Sequence, residues 1–342
     1  MTSVRTGILL SLLLLTLAMP ASAERFHVAI GGLRTEGPSA PDLWGPTNCY
    51  PDLVSALAQA APADSVLLAD QIHQLDTVVA PSAFLGNHLL SAAPGDAQLR
   101  FTAGGSLTPV GPVRLQGVTF RGGEPLDQPA VLVTTGTLAL ELVGCDFLDF
   151  EAPTDGYLGG SVLRVLVGGT FTASDSRFVG NHTDQRGGAY YLTNDLTREF
   201  DHCLWRDHSA VGGTSARGGA IMVRSPQIAS HLTFRDCEFR DNRSGGPGGA
   251  LSAISASFVY EDCRVVGSRS ALDPAIDWGE GAGLHMRHDT YAHTDTMRAV
   301  ARRCYFENNQ CTDPANRSSC DGGAFYVRGG DDDHHFVGTV ED

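Results

Sequence analysis

Short alternations of apolar and polar residues recur along the second half of this chain. Leu140-Glu141-Leu142, Leu232-Thr233-Phe234 and Phe258-Val259-Tyr260 each place apolar residues on every second position, the period of a strand with one face in a core. Three residues past each run stands a cysteine (Cys145, Cys237, Cys263), and two past that a further large apolar side chain (Phe147, Phe239, Val265). The inward positions thus fall five and three residues before the cysteine, then on the cysteine itself and two beyond it. That change of parity requires a bend between two short strands, which pairs such as Arg235-Asp236 and Glu261-Asp262 are suited to make.

The pattern aligns on the cysteine position at Cys145, Ser176, Cys203, Cys237, Cys263 and Cys304, with spacings from 26 to 41 residues, and a weaker copy puts Val118 there. The large apolar position reads Phe147, Phe178, Trp205, Phe239, Val265 and Phe306. Five residues past the cysteine come Asn181, His208, Asn242, Ser268 and Asn309, with Phe150 the exception. A third strand opens after each glycine pair: Gly187-Gly188-Ala189-Tyr190, Gly218-Gly219-Ala220-Ile221, Gly248-Gly249-Ala250-Leu251 and Gly322-Gly323-Ala324-Phe325, with Gly159-Gly160-Ser161-Val162 and Gly281-Ala282-Gly283-Leu284 as relaxed forms. Glycine there permits a positive φ or a close backbone approach at a corner. Three short strands per repeat, with no amphipathic helix between them, predict an all-β chain: a right-handed parallel β-helix whose like residues stack at about the 4.8 Å strand spacing. A β-propeller of similar period needs four strands and hairpin turns, which these bends do not supply. The spread in spacing implies insertions on one side of a fixed coil.

The Phe-x-x-Asn phrases Phe178-Val179-Gly180-Asn181, Phe239-Arg240-Asp241-Asn242 and Phe306-Glu307-Asn308-Asn309, with Gly218-Gly219-Ala220-Ile221 and Gly248-Gly249-Ala250-Leu251, resemble the repeats of chlamydial polymorphic outer-membrane proteins, within the pectate-lyase-like superfamily. The resemblance covers residues 140–330. Upstream, the stretch from Asp52 to Leu68 looks like the capping helix, Pro-x-Asp turn and first strand that open many right-handed β-helix proteins. A short helix there covers the open end of a solenoid, which would otherwise expose its core and strand edges. Both likenesses imply the fold and leave the activity open.

Outside the repeats, Arg5, an apolar run from Ile8 to Leu17 and Ala21-Ser22-Ala23 form a signal peptide with its cleavage site. The run is too short to span a bilayer. The chain divides into the signal peptide (1–23), an N-terminal extension (24–48), the cap with the first strands (49–112) and the β-helix repeats (113–342), so the protein is expected to be secreted or displayed at the outer surface. Val340-Glu341-Asp342 aligns with Tyr260-Glu261-Asp262, just before a cysteine position. Further coils are therefore expected beyond it, and self-association through the open last coil. Net charge is −15, and no basic tract offers a phosphate-binding footprint, which argues against nucleic acid as a partner.

The chemistry is less legible. Stacked cysteine Cβ atoms about 4.8 Å apart exceed the disulfide separation of about 3.8 Å, so Cys203, Cys237, Cys263 and Cys304 read as buried thiols, whereas Cys311 and Cys320 flank a polar insertion and are expected to bridge it. Asn181, Asn242 and Asn309 read as a structural ladder bonding to one another and to the backbone. The run His285 to Asp295 holds His285, His288, His293, Asp289 and Asp295, but its spacing fits no zinc motif and it reads as a hydrophilic excursion between strands. Asp331-Asp332-Asp333-His334-His335 reads as a solvated turn. Asp184, Asp273, Asp277, Glu280, Asp313 and Asp321 all fall between the asparagine position and the glycine pair, so the fold lines them along one edge, beside Arg186, Arg217 and Trp278. These nine residues are the candidate ligand-binding set. No catalytic residue or metal ligand stands out, and no cofactor is expected, with calcium the one that clustered carboxylates would take. The reading favours an adhesion or carbohydrate-binding module whose partner is a polysaccharide, a cell-surface glycan or a protein. The alternative is a polysaccharide lyase or glycoside hydrolase working through carboxylates in the same groove.

Overall fold

The computed structural model describes residues 25–28, 49–62, 64–69, 71–79, 88–91, 97–126, 129–133, 138–152, 159–193, 196–212, 215–225, 230–270, 272, 279–287, 297–312, 320–321, 323–328 and 336–341. Their strands stack in parallel into three long sheets. The first has 12 strands, from Cys49–Tyr50 at one edge to Phe336–Glu341 at the other; the second and third have nine each, from Ile72–Leu75 to Tyr305–Glu307 and from Val78–Val79 to Phe325–Arg328. One coil contributes one strand to each: Ser230–Arg235, Glu238–Arg240 and Leu251–Ile254 pair in register with Ala256–Glu261, Arg264–Val266 and Leu284–Arg287 of the next. The fold is a parallel β-helix.

The predicted columns run through the interior. Pairing of Asp146 with Arg177, Arg177 with Leu204, Leu204 with Glu238, Glu238 with Arg264 and Arg264 with Tyr305 sets each cysteine-position residue over the next. The same register reaches back through Thr119, Gln98 and Ile72. Ala97 and Gln71 thus continue the cysteine column, and Leu99 and His73 the aromatic one. In the core, Phe120, Phe147, Phe178, Trp205 and Phe239 stack ring on ring at 4.6, 5.2, 5.3 and 4.7 Å between centroids.

Single residues make the bends. The residue before each cysteine position is left-handed, with φ of 66° at Gly117, 57° at Gly144, 51° at Asp175, 50° at His202, 49° at Asp236, 55° at Asp262 and 50° at Arg303. A second such corner precedes the asparagine column at Asp149, Gly180, Asp207, Asp241, Gly267 and Asn308. Asp and Asn tolerate this conformation better than other side chains, so the second residue of each predicted bend pair carries the turn. The glycine pair makes the third corner. Gly248 has a φ of 74°, and a Cβ on Gly249 would lie 2.2 Å from the Ala282 carbonyl oxygen of the next coil. One register departs from the alignment: Leu163 pairs with Tyr190, so Gly160, not Gly159, faces Gly187. The two positive φ values, 122° at Gly159 and 77° at Gly160, absorb the extra residue.

The asparagine column is structural but works differently from a ladder of amides bonding one another. Each side chain bonds backbone of the coil below: Asn181 Oδ1 accepts from the Phe150 N–H at 3.0 Å and its Nδ2 donates to the Phe147 carbonyl at 3.1 Å, and Asn242 and Asn309 repeat the arrangement. His208 takes the same slot, its Nδ1 accepting from the Asn181 N–H at 3.1 Å.

Cys145, Cys203, Cys237, Cys263 and Cys304 are free thiols. The sulfurs of Cys203, Cys237 and Cys263 donate to carbonyl oxygens of the coil below at 3.4 to 3.5 Å, and burial pushes the Cys145 thiol up to about 11. At the N-terminal end a short helix, Leu53–Gln59, buries Leu53, Ala56 and Leu57. Asp52 caps it, its Oδ1 accepting from the Ser55 N–H at 2.7 Å. Asp64 ties the turn that follows by accepting from the Ala61 N–H at 2.6 Å.

Candidate functional site

On the third sheet the strands Tyr190–Thr193, Ile221–Arg224, Leu251–Ile254, Leu284–Arg287 and Phe325–Arg328 lie in register. Their first and third residues enter the core, so the second and fourth face outward. One outward column reads Tyr191, Met222, Ser252, His285, Tyr326 and the other Thr193, Arg224, Ile254, Arg287, Arg328. Outward here does not mean exposed. Tyr191, Met222 and Ile254 are buried in an apolar cluster separate from the main core, and Ser252 and His285 are fully enclosed. The predicted edge runs alongside: Arg186 bridges to Arg217, and Glu280 pairs with Asp321 through the backbone.

Arg186, Arg217, Met222, Arg224, Ile254 and Arg287 enclose a pocket of about 250 Å³. Four arginines line it, on a protein of net charge −15. The sequence contains no lysine, so all 24 basic side chains are arginine, the residue whose planar fork matches carboxylate, sulfate or phosphate oxygens two at a time. Arg186 is positioned by Tyr191, donating from Nη1 to the phenol oxygen at 3.3 Å with its guanidinium 5.9 Å from the ring centre.

Beside this pocket lies a buried polar chain. Ser252 Oγ stands 3.0 Å from His285 Nδ1, and His285 Nε2 stands 3.2 Å from Glu280 Oε2. The Gly281-Ala282-Gly283 corner turns the backbone so that residues 280 and 285 face each other. The Tyr326 ring lies parallel to His285 at 5.8 Å, and Arg328 approaches Glu280 at 4.0 Å. Burial alone would raise Glu280, but hydrogen bonds from His285 and Tyr326 and the nearby Arg328 charge outweigh it and hold the carboxyl below its usual range. Burial depresses His285 despite the carboxylate beside it. At neutral pH the pair is therefore carboxylate and neutral imidazole. The ionised Glu280 can only accept, which puts the imidazole proton on Nε2 and leaves the Nδ1 lone pair facing the Ser252 hydroxyl.

Of the sequence-predicted set, Arg186 and Arg217 line the pocket. Glu280 is buried in the polar chain beside it, and Asp184 is half-buried and does not line the pocket. Asp321 pairs with Glu280 by backbone, its side chain lying outside the described ones, and Asp273, Asp277, Trp278 and Asp313 lie outside the described residues. The reading of His285 as part of a solvated excursion is overturned. It sits inside a strand with no exposed surface, because the residue after Leu284 falls on the outward column that Tyr191 and Met222 also occupy. His288, His293, Asp289, Asp295 and the Asp331–His335 turn lie outside the described residues. Arg224, Arg287, Met222, Ile254 and Ser252 were not picked out from sequence, although counting two and four residues past Gly218-Gly219-Ala220, Gly248-Gly249-Ala250 and the relaxed Gly281-Ala282-Gly283 would have found them. Cys311 is half-buried and not among the free thiols; the Cys320 side chain lies outside the described ones. At a first-corner bend, Asp201, His202 and Asp236 bring potential metal-ligating atoms within 4.8 Å of one another. His202 there is exposed and raised by its hydrogen bond to Asp201.

No protein-family model matches the chain, and no curated protein does. Among solved structures, it is similar to a pectin methylesterase mutant in complex with hexasaccharide IV, with a TM-score of 0.36, 11% identity and coverage of 93% of this chain and 94% of that one. It is also similar to the pectin methylesterase PemA from Erwinia chrysanthemi, with a TM-score of 0.33, 10% identity and the same coverage. The fold assignment stands on the strand ladders above.

Proposed function

We propose that this protein is an exported binding module for acidic polysaccharide, gripping carboxylate or sulfate groups of the glycan in the arginine pocket on the outer face of the third sheet. The observation that carries the reading is the convergence of four arginines, Arg186, Arg217, Arg224 and Arg287, on one pocket of a strongly acidic protein. A net negative field repels anions at long range, so an anion that binds must be recognised at short range by fixed donors. Forked guanidinium groups supply such donors, and Met222 and Ile254 give an apolar floor for a sugar ring. The lining spans coils about 4.8 Å apart, with Arg186 and Arg217 on adjacent coils and Arg224 and Arg287 two coils apart, a spread that suits a chain of like monomers better than one small anion. Display on a surface, export through residues 1–23 and a Cys311–Cys320 bridge belong to the same reading.

Calorimetric titration of the purified protein with polygalacturonate, and with dextran as the neutral control, tests it. Polygalacturonate should bind, more weakly as salt rises, and dextran should not. Replacing Arg217 and Arg287 together by Gln should weaken binding about 10-fold or more, with charge-assisted hydrogen bonds worth about 1.5–3 kcal/mol each. Adding calcium or EDTA separates direct recognition by arginine from a calcium bridge to the edge carboxylates. Equal binding of the two glycans, or an unchanged affinity in the double variant, would sink the proposal.

A further inference from the structure

We infer that Ser252, His285 and Glu280 form an acyl-transfer relay beside the arginine pocket, one that hydrolyses an ester carried by the anionic ligand held there. The preference for an anionic ester rests on the binding proposal above; the relay itself does not.

The hydrogen-bond order is that of an activated serine. The Ser252 hydroxyl faces the Nδ1 lone pair at 3.0 Å, and Nε2–H faces a carboxylate at 3.2 Å that stabilises positive charge on the ring. The ring is turned end for end relative to the commoner use of the two nitrogens, and either nitrogen of an imidazole can take the proton. Packing does not account for the chain. The same outward column is filled by Met222 and Tyr191 on neighbouring coils, and burying a hydrogen-bonded charge seldom stabilises more than an apolar pair of similar volume. The relay also lies directly behind the pocket lining. Ser252 pairs across the sheet with Met222 and lies two residues before Ile254, both lining the pocket. The charges of Arg217 and Arg287, also in the lining, act on His285.

The reaction closes without a cofactor. Ser252 Oγ bonds to the ester carbonyl carbon while its proton passes to His285 Nδ1. Arg217 or Arg287 balances the oxyanion, the C–O bond to the alcohol breaks, and Nδ1 returns the proton to the leaving oxygen. Water then attacks the acyl-serine with His285 again taking a proton, the Ser252 ester bond breaks, and the proton returns to Oγ. The sum is ester plus water to carboxylic acid plus alcohol. Ser252 and His285 are fully enclosed, so acylation waits on side-chain movement at the pocket floor, and reaction is expected over hours.

The test is labelling of the full chain with a fluorophosphonate probe, mapped by mass spectrometry, together with p-nitrophenyl acetate hydrolysis. The probe should attach at Ser252 in the folded protein. Ser252→Ala should abolish both readouts, and Ser270→Ala, a buried serine elsewhere, should leave them unchanged. Glu280→Gln, which keeps the shape and removes the charge, should slow hydrolysis about 100-fold or more. No adduct at Ser252 after a day, or equal hydrolysis by wild type and Ser252→Ala, would overturn the relay. Because the probe and ester are small and neutral, labelling without polygalacturonate binding would leave the relay standing and remove the binding proposal. Binding without labelling would do the reverse.

Discussion

Individual side chains do unequal work in this solenoid, and His208 shows it best. It fills an asparagine slot, accepts the Asn181 N–H on Nδ1, and burial lowers it to about 3. An unfolded histidine titrates near 6.5, so the unfolded chain binds a proton that the folded one refuses. Stability from this site is therefore intact above about 6.5 and is lost as pH falls toward 3, at about 1.4 kcal/mol per pH unit. His208→Asn restores the amide and should remove that component. Urea midpoints at several pH values should show the wild type losing stability faster than the variant between pH 6.5 and 4. Parallel curves would mean that His208 is not held neutral. The column was legible because Asn181, Asn242 and Asn309 mark it in sequence. The histidine's role as an amide substitute was not, since it depends on a ring nitrogen meeting one backbone N–H.

At the level of the strand and its corners, aromatic stacking and left-handed bends carry the repeat. Phe239 lies between Trp205 and Val265 with no exposed surface, and Phe239→Ala should cost about 3–5 kcal/mol. From sequence alone, Asp241→Ala looks silent. The structure gives Asp241 a φ of 54°, so alanine there should cost about 1 kcal/mol while Asp241→Gly is near neutral. Denaturation midpoints in the order Asp241→Gly, Asp241→Ala, Phe239→Ala, from most to least stable, are the expected result, and equal values for the last two would contradict the register. Columns marked by Cys, Phe and Asn could be read off the sequence. The first coils could not, because Gln71, Ala97, His73 and Leu99 fill the same positions with side chains that carry no signature. Nor did alternation reveal the outer face of the third sheet: Leu251–Ile254 is buried at all four positions, so its polarity pattern does not distinguish inside from outside.

Across the whole molecule, two sets of cysteines are expected to behave differently. Cys237 and Cys263 face each other inside the stack as free thiols, and should react with iodoacetamide only after unfolding. Cys311 and Cys320 should appear as one oxidised pair in a digest of unreduced protein, and a Cys237–Cys263 crosslink in native protein would contradict the stacking. The arrangement that aligns these sulfurs also has a mechanical side. The hydrogen bonds joining one coil to the next run along the solenoid axis, so a pull on the two ends loads them one layer at a time, and each coil is held only by its neighbours. Force should peel the stack from an end in discrete steps, each freeing a coil of about 30 residues and so about 100 Å of chain. Tethered between two surfaces, the protein would lengthen like line leaving a spool and hold its grip through the coils still wound.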